Sequence, residues 1–119
     1  MSIICLKSYK SFYNIEHYSP FMPEKQEITE ILKKVIDPEL ALDIISLGLV
    51  YDIRIDGNKV IVVMTLTSPV CPYGPELMND VKRHACSVEG VRECEIELTF
   101  SPPWGPDKMT EEAKIALGI

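Results

Sequence analysis

Four cysteines occur in the chain, Cys5, Cys71, Cys86 and Cys94, but no two of them form a Cys-x-x-C pair. A closed zinc site draws on paired Cys or His ligands, so this spacing excludes the usual structural zinc modules. The P-loop, the G-x-G-x-x-G fingerprint and H-E-x-x-H are all missing, which removes the common nucleotide and metalloprotease signatures. Basic charge is scarce: 12 Lys and Arg stand against 18 Asp and Glu, for a formal net charge of −6. With no Lys/Arg cluster either, a nucleic-acid surface is excluded, while a basic protein partner is compatible. There are only two histidines. His17 stands beside Glu16 and His84 near a helix stripe, so spacing supports no His–Cys nucleophilic pair and no acid–base set, and an enzyme is not expected. No apolar run approaches the length of a membrane span. Ile3-Ile4-Cys5-Leu6 is too short for a secretory h-region, so the expectation is a cytoplasmic protein with free thiols in a reducing compartment.

What is present describes one domain. At 119 residues, 46% hydrophobic and 25% charged, the chain can bury a real core. Residues 1–23 form an aromatic arm of uncertain order, carrying Tyr9, Phe12, Tyr13, Tyr18 and Phe21. Residues 24–119 read as a single domain. Ile28, Ile31, Leu32 and Val35 recur at helical spacing and predict a helix over Glu24–Ile36 that stops at Asp37-Pro38. Leu49–Ile55 alternates as a half-buried strand, Asp56-Gly57-Asn58 signals a hairpin, and Lys59–Leu66 returns as an apolar, central strand. Leu77, Met78, Val81, Ala85 and Val88 form the stripe of a helix over Gly74–Glu89. A third strand follows over Val91–Phe100, with Cys94, Ile96, Leu98 and Phe100 toward the core and Glu93, Glu95 and Glu97 toward water. Thr110 caps a last short helix that ends at Gly118. The order α-β-β-α-β-α gives an α+β fold with a small three-stranded mixed sheet.

The segment Thr65-Leu66-Thr67-Ser68-Pro69-Val70-Cys71-Pro72-Tyr73-Gly74-Pro75 is where chemistry is expected. It places Cys71 in a proline-stiffened loop that feeds a helix N-terminus, where unpaired N–H groups and the helix dipole favour negative charge. Cys71 reads either as a reactive thiol and metal ligand or as a packed loop thiol, since free cysteine is commonly buried. Thr65 and Thr67 alternate on one face of a strand end, toward that loop or simply by β-propensity. Asp37 reads as a cap of the turn begun by Pro38. Trp104, set among prolines and glycine, reads as an interface ring or a lid over the core edge. Cys94 reads as core, Cys86 as an inert flank of the helix stripe, and Cys5 falls in the arm.

Taken together, Asp37-Pro38-Glu39, Leu47-Gly48-Leu49-Val50-Tyr51, Met64-Thr65-Leu66-Thr67, Cys71-Pro72 and Pro102-Pro103-Trp104 resemble, in that order, the SufT/PaaD-type metal–sulfur cluster biosynthesis proteins. These are iron–sulfur cluster assembly (FSCA) domain-like. The resemblance covers Glu24 to the C-terminus. It implies a role in maturing iron–sulfur proteins in the cytosol through contacts with assembly proteins or apo-clients, with a homodimer allowed. It implies no tightly bound cofactor, only a transient iron–sulfur cluster, iron or persulfide. Cys71 would be the reactive residue, supported by Asp37, Thr65 and Thr67. The PaaD-like branch, accessory to a ring oxygenase, carries a cysteine-rich C-terminal extension that does not follow here, which favours the SufT-like reading. A client-docking adaptor with a structural Cys71 is the alternative.

Overall fold

The computed structural model describes residues 2–4 and 23–119. Most of the expected aromatic arm, with Cys5 and His17, lies outside the described residues. Strand β1 is Ser2–Ile4, helix α1 Lys25–Leu32, β2 Val50–Asp56, β3 Lys59–Met64, α2 Gly74–Cys86, β4 Glu93–Leu98 and α3 Glu111–Leu117. A single 3-10 turn, Pro106–Lys108, precedes α3. The sheet order is β1-β4-β3-β2. All three expected strands and all three expected helices are present, and the short β1 adds an antiparallel edge to β4.

The hairpin forms as the Asp-Gly-Asn signal requires: Asp56 pairs with Lys59, and Gly57 takes φ +62°. β3 lies between β2 and β4, and it is parallel to β4 with α2 as the crossover. Its Val60, Val62 and Met64 are fully buried, as an internal strand demands. Helix α1 begins with a reciprocal capping box between Glu24 and Glu27 and buries Ile28 and Leu32. The α2 stripe of Leu77, Met78, Val81 and Ala85 is buried in the same core. α3 is capped by Thr110, whose hydroxyl accepts from Ala113 N at 3.1 Å, and it closes on Gly118 in the left-handed region.

Three expectations are corrected. The first helix ends at Leu32, four residues early. Beyond it, Ile44 N donates to Val35 O at 3.0 Å and Asp37 N to Leu42 O at 2.9 Å. Val35 therefore reaches the core from an extended segment, because Pro38 denies Asp37 helical geometry. Leu98 and Phe100 are 40% and 37% exposed rather than core; the strand ends at Leu98 and the chain leaves the sheet at Ser101-Pro102. Cys86 is disulfide-bonded, not the free thiol expected, which no spacing in the sequence signals. No helix among the described residues is long and apolar enough to cross a membrane.

Gly48 shows how tightly the sheet edge is built. It takes φ +76°, and a Cβ there would lie 2.1 Å from Lys108 O. Gly57 also has positive φ, but a Cβ there meets nothing within 4 Å. Gly57→Ala is therefore expected to cost only the left-handed penalty of about 1–2 kcal/mol. Gly48→Ala adds a backbone clash and is expected to cost distinctly more, read as a larger drop in the urea midpoint. Equal costs would show that the Gly48–Lys108 approach carries no stability.

Candidate functional site

The sheet register gathers the motif segments at one edge. Val50 pairs with Met64, and Met64 with Leu98. The pairing is carried one step further by Thr65 N to Leu49 O at 2.8 Å and Thr99 N to Met64 O at 2.9 Å. The start of β2, the end of β3 and the end of β4 therefore meet. The Cys71 loop leaves from the carboxyl end of β3, where open α/β sheets place their ligand crevices.

Several motif residues frame this edge. Trp104 is half-buried, and its Nε1 donates to Leu47 O at 2.6 Å. Tyr51 donates its hydroxyl to Pro102 O at 2.8 Å, the Lys108 ammonium lies 5.5 Å from the Tyr51 ring centre, and Thr110 N donates to Ser46 O at 2.9 Å. Asp37 is 1% exposed. Its Oδ1 accepts from Glu39 N at 2.8 Å and Leu40 N at 3.1 Å, so it caps the Asp-Pro-Glu turn as expected. Thr65 is fully buried and donates to Leu66 O at 3.4 Å, not to the cysteine loop.

Cys71 is a free, half-buried thiol three residues before α2. Its loop is held by Cys71 N to Ser68 O at 3.3 Å and Gly74 N to Cys71 O at 3.2 Å. Pro72 and Val70 beside it are exposed. The neighbours of the thiol include a residue pair that sequence reasoning missed. Tyr73 donates its hydroxyl to Glu39 Oε2 at 2.7 Å, joining the cysteine loop to the Asp-Pro-Glu turn. Burial chiefly, then the hydrogen bond to Glu39, a side-chain hydrogen-bond interaction with Cys71 and the charge of Asp37 raise the Tyr73 pKa above the ordinary phenol value, with Thr67 opposing. The hydroxyl thus bridges from the cysteine loop to Glu39 of the Asp-Pro-Glu turn. The only hint in the sequence was an aromatic two residues after the cysteine, because its partner lies 34 residues upstream.

The other free cysteine among the described residues, Cys94, is fully buried in the core. Burial pushes its thiol up to about 11, against a lowering influence from Lys82, so it has no nucleophilic role at neutral pH. His84 Nδ1 lies 2.8 Å from Asp80 O within its own helix. Among the described residues no group of three or more His, Cys, Asp or Glu side chains is arranged to hold a metal ion.

A model of the family described as iron–sulfur cluster assembly protein matches residues 25–98. The Fe–S protein maturation auxiliary factor YitW of Bacillus subtilis is 44% identical over 96 residues, which are 80% of this chain and 94% of that protein. The Fe–S protein maturation auxiliary factor SufT of Staphylococcus aureus is 46% identical over 86 residues, 71% of this chain and 98% of that protein. The solved structure of a domain of unknown function from Bacillus anthracis superposes with a TM-score of 0.76 at 42% identity, covering 80% of this chain and 92% of that one. With the fold, the motif order and the family match in agreement, the chain belongs to the iron–sulfur cluster assembly protein family.

Proposed function

We propose that the chain is an iron–sulfur protein maturation factor that handles a cluster, or iron on its way to one, through Cys71 during contact with another protein. The observation that carries this reading is the position of Cys71: a half-buried free thiol at the carboxyl end of β3, ahead of a 13-residue helix. Similar proteins are named maturation auxiliary factors, which supports the class. Iron–sulfur clusters are typically held by four cysteine ligands. A single thiolate therefore holds its cargo only with ligands from a second copy of the chain, an assembly protein or an apo-client. Asp37 holds the Asp-Pro-Glu turn to which Tyr73 of the cysteine loop bonds through Glu39, and half-buried Trp104 stands at the same edge of the sheet. The role is one of transfer rather than turnover, and the cargo is transient.

Two measurements check this. After anaerobic reconstitution, Cys71→Ser is expected to lose most of the iron and sulfide retained by the wild type, while Cys94→Ala retains them; equal loading of Cys71→Ser and wild type would exclude Cys71 as a ligand. In the native protein at neutral pH, iodoacetamide is expected to label the peptide carrying Cys71 and to spare the one carrying Cys94 until the chain is unfolded. Native labelling of Cys94 at a comparable rate would contradict the distinction between the two thiols.

A further inference from the structure

Strand β1 is an addition to the family domain: the family model matches residues 25–98, whereas β1 is Ser2–Ile4. It lies on the outer edge of β4, with Ser2 opposite Glu95, Ile3 opposite Cys94 and Ile4 opposite Glu93. On the other side, β3 pairs with β4 along its whole length. Strands usually run to about 5–6 residues, so an edge as short as β1 opens easily unless something ties it down. A tie exists nearby. Cys86, the last residue of α2, is disulfide-bonded. Of the chain's four cysteines, Cys71 and Cys94 are free thiols. Within one chain, the partner left for Cys86 is Cys5, the residue that follows β1 in the sequence. The topology agrees. β1 is antiparallel to β4 and ends at Ile4, opposite Glu93, where β4 begins. α2 is the crossover that brings the chain from the far end of β3 back to that same start of β4.

We propose that Cys86 and Cys5 form a redox latch: as a disulfide they hold β1 on the edge of β4, and as thiols they release it. A disulfide keeps its two Cα atoms within about 7 Å, and one residue adds about 3.8 Å, so the bond holds the end of β1 within about 11 Å of Cys86. Opening is thiol–disulfide exchange with a dithiol reductant. One dithiol sulfur attacks the disulfide and displaces a protein thiolate; the second then resolves the mixed disulfide, leaving two protein thiols and an oxidised dithiol. Two electrons and two protons pass to the protein. Closing is the reverse, with a small disulfide as the electron acceptor. Cys86 is only half-buried, and such exchange requires access. Release takes no strand from the family domain, since the β2–β3 hairpin and the parallel β3–β4 pair remain. What it uncovers is the outer edge of β4 over Glu93–Glu95, a row of backbone groups without a partner strand. The latch does not rest on any role of Cys71.

Two measurements on the full chain test it. The first is peptide mapping without reductant, after equilibration with glutathione disulfide or with dithiothreitol. A peptide pair joining Cys5 to Cys86 is expected in the oxidised sample and absent from the reduced one. Cys86 joined to any other cysteine, of this chain or of a second copy, or joined to none, overturns the latch. The second is amide hydrogen exchange in the native protein. Peptides carrying β1 and the start of β4 are expected to exchange about tenfold faster or more once the bond is reduced, while β3, paired on both sides, stays protected. Cys86→Ser is expected to show the fast exchange without reductant and no further response to it. Equal protection of β1 with and without the bond overturns the latch, as does a response to dithiothreitol that survives Cys86→Ser. Should Cys86→Ser fail to fold by circular dichroism, the wild type before and after dithiothreitol decides. Faster exchange confined to β1 and the edge of β4 supports the latch, and unchanged or global exchange overturns it.

Discussion

The pairing of Val50 with Met64 and of Met64 with Leu98 is the constraint on which the rest depends. Segments far apart in the chain carry the Leu-Gly-Leu-Val-Tyr, Met-Thr-Leu-Thr and Pro-Pro-Trp motifs, and only this register brings them to one edge of the sheet. A slip of one residue would turn every side chain of β3 to the opposite face. It would expose Met64, which is fully buried, and would move the root of the Cys71 loop away from the Asp-Pro-Glu turn. The apolar face of β3 therefore determines where the thiol stands, several residues before the thiol itself.

That edge divides its motif residues into two kinds of work. Gly48 leaves room for Lys108 O, Trp104 holds Leu47 O, Tyr51 holds Pro102 O, and Asp37 ties the turn amides. These contacts are internal, so the residues are explained by packing and by satisfied hydrogen bonds. Cys71, Thr67, Tyr73 and Glu39 are different. Tyr73 and Glu39 join the cysteine loop to the Asp-Pro-Glu turn through one hydrogen bond, and Cys71 lies in that loop as a half-buried free thiol. A motif shared across a family can therefore reflect a frame and a reactive group at once, and the contacts separate the two.

Much of the fold was legible because it rests on local chemistry. Gly57 announced the hairpin, Thr110 and Gly118 bounded the last helix, and the Val-Ile-Met run of β3 announced an internal strand. Asp37 could be recognised as a cap because the backbone N–H groups that donate to it lie only two and three residues ahead. What was illegible depends on distance in the chain. Leu98 and Phe100 continue the alternation of β4, yet they project where the chain departs from the sheet. The covalent state of Cys86 has no counterpart in spacing. The Tyr73–Glu39 bond joins residues 34 apart, so periodicity could place each in a loop but not the two together. Cys71 itself was found from its setting before α2, and its neighbours could not be.

If the Asp-Pro-Glu turn and the cysteine loop are joined as described, Tyr73 must report it. Burial and the Glu39 carboxylate favour the neutral phenol in the folded protein. The site thus stabilises the fold fully below the ordinary phenol pKa of about 10 and loses that contribution as pH rises through the higher folded value. Titration of tyrosine labelled with carbon-13 at Cζ, followed by NMR, measures this directly. The account predicts a Tyr73 resonance that ionises above the ordinary phenol range and moves back toward it in Glu39→Gln. An ordinary titration that Glu39→Gln leaves unchanged would contradict it.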